Sequence, residues 1–147
     1  MAKLVTILED DPSRIDAMRQ WLPALLPTCE HIFFDHAERM IAWLSEHLSE
    51  VVLISLDHDL PIVRGDDGTL TDYGTGRQVA DYLCTVETRC PVIVHSSNNV
   101  FAPGMMNCLK YAGIVHARVY PYMDTDWVGT TWVDQIRAYL RDGYISV

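Results

Sequence analysis

The chain has 147 residues, the size of one ordinary domain and enough to bury a full hydrophobic core. Hydrophobic residues make up 49% and charged residues 21%, a balance typical of globular and not of disordered proteins. The formal net charge of −9 argues against long-range attraction to nucleic acid or an anionic membrane. We therefore expect no DNA partner and no membrane contact, although a bound metal ion would still allow an acidic chain to take a phosphorylated ligand.

The ends of the chain and its cysteines suggest a cellular compartment. The first residues show no signal-peptide pattern and no apolar run reaches membrane-spanning length, so we expect a cytoplasmic protein. The four cysteines show neither C-x-x-C pairing nor zinc-finger spacing; they are Cys29, Cys84, Cys90 and Cys108. We expect all four to be reduced thiols in apolar surroundings.

In the first part of the chain, two apolar runs alternate with two helical patterns. A buried strand is predicted over Leu4–Leu8, followed by a helix for which Pro12 suits the first helical position. Pro23 should end or kink this helix, because proline lacks the N–H that a helix interior uses. A weaker strand over His31–Phe34 precedes a second helix, which Asp35 is predicted to cap.

The middle of the chain repeats this alternation around one long connection. A strand over Val51–Leu56 leads into an irregular, polar loop at about 61–76, and connections of that length are more often functional than not. Thr75 is predicted to cap a third helix. A strand over Pro91–Val94 and a helix over Phe101–Tyr111 follow.

The last pair is a strand over Ile114–Val119 and a helix that begins at Thr125 or Asp126. The strands are rich in Val and Ile without polar alternation, which is typical of parallel strands buried on both faces. Five strand–helix pairs in one chain predict an α/β fold with a doubly wound parallel sheet and right-handed crossovers, as a single domain over residues 1–147.

Polar residues follow the predicted strands where each strand ends, and ligands of such sheets bind at that edge. The three segments are Glu9-Asp10-Asp11, Asp57-His58-Asp59 and His95-Ser96-Ser97-Asn98. Crowded carboxylates repel one another, so a cation is expected between them, and hard oxygen ligands suit Mg²⁺ or Mn²⁺. The alternative is that the first acidic segment only caps the first helix. Asp57 weighs against it, because a charge at the end of an apolar strand needs another reason.

These segments carry a resemblance to a known family. Leu8-Glu9-Asp10-Asp11, Asp57-His58-Asp59-Leu60-Pro61, Pro91 through Ser96, and Tyr111 through Tyr122 resemble, in order and spacing, the landmarks of bacterial response-regulator receiver domains. The resemblance covers nearly the whole chain and implies a flavodoxin-like (βα)5 fold with strand order 2-1-3-4-5. It also implies Mg²⁺ binding at the positions of Glu9, Asp10 and Asp57, with Asp57 at the phosphoacceptor position and Ser96 at the phosphoryl-sensing position. The lysine that receivers carry before their final proline is Tyr120 here, which argues against ordinary phosphorelay signalling.

A narrower resemblance uses the histidines. The strings Leu56-Asp57-His58-Asp59-Leu60, Tyr73-Gly74-Thr75-Gly76 and His95-Ser96-Ser97-Asn98 are similar to those of the cyclic-phosphate processing receiver group. That resemblance implies action on cyclic phosphate ends, in RNA repair or biological conflict. The implied substrate is a phosphate-containing small molecule or an RNA end.

We assign candidate roles on this basis. The metal ligands are Glu9, Asp10, Asp57 and Asp59; the phosphate-binding residues are Ser96, Ser97 and Asn98; the catalytic residues are Asp57, His58 and His95. Either Asp57 attacks phosphorus or the ion activates a water, and a histidine transfers the proton to or from the ribose hydroxyl. Because side chains alternate along a strand, His95 has an equally strong structural interpretation, and His58 is favoured slightly.

Two other functions remain open. The chain is alternatively a non-enzymatic pseudo-receiver that binds a partner protein, or an atypical receiver that is phosphorylated on Asp57. An enzyme should turn over cyclic nucleotides, whereas an interaction module should bind its partner without turnover.

Overall fold

A computed structural model describes residues 2–147, so the first residue of the predicted domain lies outside the described residues. The strands are β1 Lys3–Leu8, β2 Cys29–Phe34, β3 Val51–Leu56, β4 Ile62–Arg64, β5 Leu70–Asp72, β6 Val92–His95 and β7 His116–Val119. The α-helices are α1 Pro12–Leu25, α2 Ala37–His47, α3 Gly76–Thr85, α4 Ala102–Tyr111 and α5 Val133–Arg141. A 3-10 turn spans Leu48–Glu50 and a π-helical segment spans Val128–Trp132.

Five of the strands form one parallel sheet in the order β2-β1-β3-β6-β7. This order confirms the predicted 2-1-3-4-5 arrangement and the flavodoxin-like fold, with β4 and β5 outside the sheet. One apolar cluster fills the face under α2, α3 and α4, and a second fills the face under α1 and α5. Burial on both faces explains why β3 and β6 are continuous apolar runs.

The helix boundaries confirm some predictions and correct others. Thr75 stands at the N-cap of α3, where the Oε1 of Gln78 accepts the Thr75 N–H at 2.9 Å. The predicted Asp35 cap is wrong: α2 begins after His36, and the Ala37 N–H donates instead to the Tyr73 carbonyl at 2.9 Å. The backbone of the long loop thus supplies the acceptor that a side chain was expected to give.

Two other helix predictions concern the first and last helices. Helix α1 continues past Pro23 and ends two residues later, at Leu25, so Pro23 does not itself end the helix. The last helical segment begins at Asp126, as predicted, and passes through the π-helical segment before α5. No helix of residues 2–147 has the length and apolar character needed to cross a membrane.

The loop at 61–76 contains more structure than predicted. Strands β4 and β5 pair as an antiparallel hairpin, and the Tyr73 N–H donates to the Pro61 carbonyl at its base. All six residues of these strands are exposed, and strands of three residues are too short to show the alternation by which strands are recognised.

The prediction of four reduced cysteines is wrong for one pair. Cys84 on α3 and Cys108 on α4 form a disulfide, with their Cα atoms 6.6 Å apart, while Cys29 and Cys90 are free and buried. The two half-cystines are 24 residues apart in sequence, and only the packing of α3 beside α4 brings them together.

Candidate functional site

Two acidic side chains are buried together where β1 and β3 end. The two strands are paired in register, with Leu8 opposite Leu56, so the residues that follow them emerge side by side. Glu9 is fully buried and Asp57 is 6% exposed. The Asp57 N–H donates to the Leu8 carbonyl at 3.0 Å, which continues the strand pairing into the site.

Arg14, on the first turn of α1, is the cation that faces this acidic pair. Its Nη1 lies 3.5 Å from Glu9 Oε1 and 3.8 Å from Asp57 Oδ2. The guanidinium also lies over the ring of Trp127, 5.5 Å from its centroid. Arg14 therefore provides partial neutralisation at distances longer than those of tight ion pairs.

The two carboxyl groups differ in their electrostatics. Burial raises the pKa of Asp57 to about 7, against the opposing influence of His95 and Arg14. Burial also acts to raise the pKa of Glu9, but contacts with His95, the Asp11 N–H and Arg14 outweigh it, and that pKa lies below its usual value. The site therefore combines one carboxyl group whose pKa is lowered with one whose pKa of about 7 lies near physiological pH.

Asp10 and Asp11 have different surroundings. Burial, followed by the charge of Glu9, raises the pKa of Asp10, which is partly exposed. The side chain of Asp11 accepts from the Ser13 N–H at 2.8 Å and the Arg14 N–H at 3.3 Å, so the helix-capping interpretation is correct for Asp11. Glu9 instead accepts hydrogen bonds from the N–H groups of Asp10 and Asp11, at 3.0 and 3.1 Å, and both go to its Oε2 atom.

A third buried side chain, His95, completes what we call the inner cluster: Glu9, Asp57 and His95. Each offers one ligand atom within 4.8 Å of the others, and no other such group of three occurs in residues 2–147. Asp10 and Asp59, which we predicted as metal ligands, do not belong to this group. Two buried carboxylate groups with incomplete cation neutralisation fit the oxygen-ligand chemistry of Mg²⁺ or Mn²⁺.

The ring of His95 is fixed from both sides. Its Nδ1 lies 2.7 Å from Ser55 Oγ, and its Nε2 lies 3.2 Å from Glu9 Oε1 without an aligned hydrogen-bond acceptor. The ring also packs against Trp127, with centroids 5.7 Å apart. His95 thus has both a structural environment and direct contact with the acidic pair.

The second predicted histidine belongs to a separate group, which we call the rim cluster: His58, Asp59, Asn98 and Phe101. The Nδ1 of His58 lies 2.9 Å from Asp59 Oδ1, and Asn98 Nδ2 donates to both Asp59 oxygens at 3.3 and 3.4 Å. The Phe101 ring stacks on the His58 ring at 5.0 Å with an interplanar angle of 2°, and it remains 54% exposed. The Nε2 of His58 makes no hydrogen bond within the described part of the chain.

The loop after β6 is tied to β7. Arg118 donates twice to the Ser96 carbonyl, at 3.1 and 2.8 Å, and Tyr120 donates to the Ser97 carbonyl at 3.3 Å. The Ser96 hydroxyl accepts the Asn98 N–H at 3.0 Å, and Asn98 Oδ1 caps the start of the next turn. Of the three predicted phosphate-binding side chains, the exposed Ser97 hydroxyl alone makes no hydrogen bond within residues 2–147.

Gly76 allows the start of α3 to approach the acidic site. A Cβ atom at this position would lie 1.8 Å from the Asp57 carbonyl oxygen, so only glycine fits. The Gly76 N–H also donates to the His58 carbonyl at 2.9 Å.

Sequence reasoning missed four residues of the site: Arg14, Ser55, Phe101 and Trp132. Arg14 had a local signal, because it lies one turn after the acidic segment on the face that packs beneath it. Ser55 and Trp132 are 77 residues apart and meet only through the packing of the last helical segment on the sheet.

Solved structures with this fold include several response regulators. RcsB of Salmonella typhimurium is 19% identical, with a TM-score of 0.64 over 99% of this chain, which spans 63% of the RcsB chain. The phosphorylated cyanobacterial phytochrome response regulator RcpA is 18% identical, with a TM-score of 0.67 over 97% of this chain and 96% of RcpA. A CheY-like receiver domain protein of Methanospirillum hungatei JF-1 is 14% identical, with a TM-score of 0.63 over 97% and 100% of the two chains.

At these identities the likeness concerns the fold, and no curated protein matches the chain. A sequence profile of the cyclic-phosphate processing receiver domain matches residues 6–111, which contain the inner cluster and the rim cluster. The chain belongs to the family of cyclic-phosphate processing receiver domains.

Proposed function

We propose that this receiver domain is a metal-dependent phosphoesterase that opens or removes a cyclic or terminal phosphate on a nucleotide or an RNA end. The observation that carries the proposal is the inner cluster, in which two carboxyl groups are buried at neighbouring strand ends and share one guanidinium at 3.5 and 3.8 Å. Burial of carboxylates without full neutralisation is costly, and a functional cation site is a physical reason to keep it.

The carboxyl groups hold the cation in this proposal. Asp57 and Glu9 supply oxygen ligands, and Asp10, which follows directly, is close enough in sequence to complete the set. A bound Mg²⁺ or Mn²⁺ would stabilise charge that develops on the phosphate oxygens. Glu9 and Asp57 would hold the cation in place of their contacts with Arg14, and the guanidinium would then be available to bind the incoming phosphate.

His58 transfers the proton. Water adds to phosphorus, the bond from phosphorus to one ribose oxygen breaks, and His58 Nε2 delivers a proton to that oxygen. The proton that the added water loses returns to His58 through solvent, which restores the ring. The contact between His58 and Asp59 orients the ring, and both Asp59 oxygens already accept from Asn98. We therefore propose an orienting role for Asp59 in place of metal ligation, and the Ser97 hydroxyl as the donor to the phosphate.

A cavity of about 330 Å³ beside the site supports access for a ligand. It is lined by Asp11, Ser13, Arg14 and residues 121–124, so Arg14 borders both the cavity and the inner cluster. The two left-handed residues of its wall, Met123 and Asp124, have φ values of 48° and 57°.

The main alternative is a non-enzymatic pseudo-receiver that binds a partner protein. Tyr120 in place of the receiver lysine favours this alternative, as does Arg14, which neutralises part of the acidic pair without an ion. Phosphorylation of Asp57 is the remaining alternative. Labelling with acetyl phosphate tests it.

The deciding experiment is turnover of 2′,3′-cyclic nucleotides and of RNA oligonucleotides with 2′,3′-cyclic ends, with Mg²⁺, Mn²⁺ or EDTA. We expect metal-dependent product from the wild type and none from Asp57→Asn. Asp66→Asn, which changes an exposed acid at the hairpin turn, is the matched control. Absence of turnover in every wild-type reaction would contradict the enzyme and favour the interaction module.

A further inference from the structure

A buried hydrogen-bond chain connects the last helical segment to the inner cluster. The Trp132 Nε1–H donates to Ser55 Oγ at 3.0 Å, and Ser55 Oγ lies 2.7 Å from His95 Nδ1. The other ring nitrogen of His95 lies 3.2 Å from Glu9 Oε1. Trp132, Ser55, His95 and Glu9 are all completely buried, so water does not compete for these contacts.

The donor and acceptor chemistry of Trp132, Ser55 and His95 fixes the direction of each hydrogen bond. An indole N–H is only a donor, so the Ser55 oxygen must accept from Trp132. The Ser55 hydroxyl proton then has one partner in the described part of the chain, which is His95 Nδ1. Nδ1 is therefore an acceptor, and the neutral ring carries its proton on Nε2.

The tautomer with its proton on Nδ1 is disfavoured at both ring nitrogens of His95. With a proton on Nδ1 alone, the Ser55 proton would be buried without an acceptor. The lone pair of Nε2 would also face a Glu9 oxygen at 3.2 Å, which is repulsive. A doubly protonated ring would also leave the Ser55 proton without an acceptor, so the neutral ring with its hydrogen on Nε2 is the favoured form.

We propose that Trp132 and Ser55 lock His95 with its proton on Nε2, so that His95 directs an N–H group toward the acidic site and is excluded from metal ligation. The site then presents only carboxylate oxygens, which favours Mg²⁺ and Mn²⁺ over Zn²⁺, a cation that binds well to neutral imidazole. The preference for Mg²⁺ and Mn²⁺ over Zn²⁺ rests on the metal site of the proposed function, whereas the assignment of the His95 tautomer does not. Ser55 and Trp132 are positioning residues, because they act through His95.

The first test is ¹⁵N NMR of histidine-labelled, metal-free protein, with the His95 signals assigned by their loss in His95→Gln. We expect an acceptor-type Nδ1 and a protonated Nε2 in the wild type, and a shift away from this pattern in Ser55→Ala. Ser45→Ala, which removes an exposed hydroxyl on α2, should leave it unchanged. An unprotonated Nε2 in the wild type would overturn the proposal without any variant, even if Ser55→Ala fails to fold.

The second test is metal binding, with Mg²⁺, Mn²⁺, Zn²⁺ and Co²⁺ titrated into each protein and the visible spectrum of Co²⁺ as a report of nitrogen ligation. In Ser55→Ala and Trp132→Phe we expect Zn²⁺ affinity to rise on the order of 10-fold while Mg²⁺ affinity changes little. Tight wild-type Zn²⁺ binding that is lost in His95→Gln would overturn the selectivity. Failure of Mg²⁺ and Mn²⁺ to bind would overturn the proposed metal site, while the NMR pattern would still support the lock.

Discussion

The inner cluster and the rim cluster hold their histidines by different means. His95 is completely buried and is positioned by side chains from β1, β3 and the last helical segment. His58 is held by Asp59, whose side chain is 69% exposed, and by the exposed ring of Phe101. Both histidines are buried, but the partners of His95 are buried while those of His58 are exposed. The comparison suggests that the inner cluster keeps a fixed geometry, whereas the rim cluster can rearrange at its exposed partners.

The largest expected effect comes from the rim. His58→Ala should lower kcat by about 10²–10⁴-fold, because it removes the proton donor, and should leave Mg²⁺ affinity nearly unchanged. Turnover and isothermal titration with Mg²⁺ measure the two quantities, with His47→Ala on α2 as the control. A comparable loss of metal affinity would contradict the assignment of proton transfer to the rim cluster and of metal binding to the inner cluster.

The inner cluster should make the free energy of unfolding depend on pH. The pKa of Asp57 rises on folding from an ordinary value of 3.8 to about 7. Folding therefore takes up a proton between these pH values, and the free energy of unfolding falls as pH rises from about 4 to 7. Asp57→Asn removes this penalty, which amounts to at most about 4 kcal/mol at about 1.4 kcal/mol per pH unit.

Urea unfolding of wild type and Asp57→Asn at several pH values measures this difference. The variant should be more stable than the wild type at pH 8, and the advantage should shrink as pH falls toward 4. Mg²⁺ should also reduce the stability advantage of Asp57→Asn, because only the wild type has both proposed carboxylate ligands, Glu9 and Asp57. A constant difference across this range, or one shared by Asp66→Asn, would contradict the buried-charge account.

Arg14 links the comparison to metal binding. Arg14→Gln should tighten Mg²⁺ binding by roughly fivefold, since a guanidinium at 3.5–3.8 Å competes for the same carboxylates with an energy of about 1 kcal/mol. The same change should weaken binding of inorganic phosphate to the Mg²⁺-loaded protein. Arg137→Gln on α5 is the matched control, and weaker Mg²⁺ binding in Arg14→Gln would be the opposite of the expected result.

The smallest effect is expected for Asp59→Asn. Because the Asp59 side chain is largely exposed, its pair with His58 should contribute up to about 1 kcal/mol, so kcat should fall by no more than about fivefold. Asp81→Asn, which breaks the exposed pair with Arg77, provides the control. Loss of Mg²⁺ binding in Asp59→Asn would instead return Asp59 to the predicted set of metal ligands.

The sequence predicted the features that depend on strand ends and local capping. Glu9 and Asp57 follow continuous apolar runs, and parallel pairing then places them together; Thr75 carries its own capping signal. Features that depend on long-range packing could not be predicted. The Cys84–Cys108 disulfide and the contact between Ser55 and Trp132 require knowledge of which helices are neighbours. The hairpin strands, of three residues each, are too short to show a periodic pattern. The cap of α2 by the Tyr73 carbonyl involves no side chain and so leaves no signal in the sequence.

The close approach of Gly76 has a consequence for how this fold can vary. Since the first residue of α3 rests on the Asp57 carbonyl, any side chain there would push the strand end outward and spoil the acidic pair without altering a carboxylate. Residues 61–72 carry no such restriction and are exposed at nearly every position. The hairpin can therefore vary in sequence without displacing the acidic pair, provided that the glycine behind it is retained.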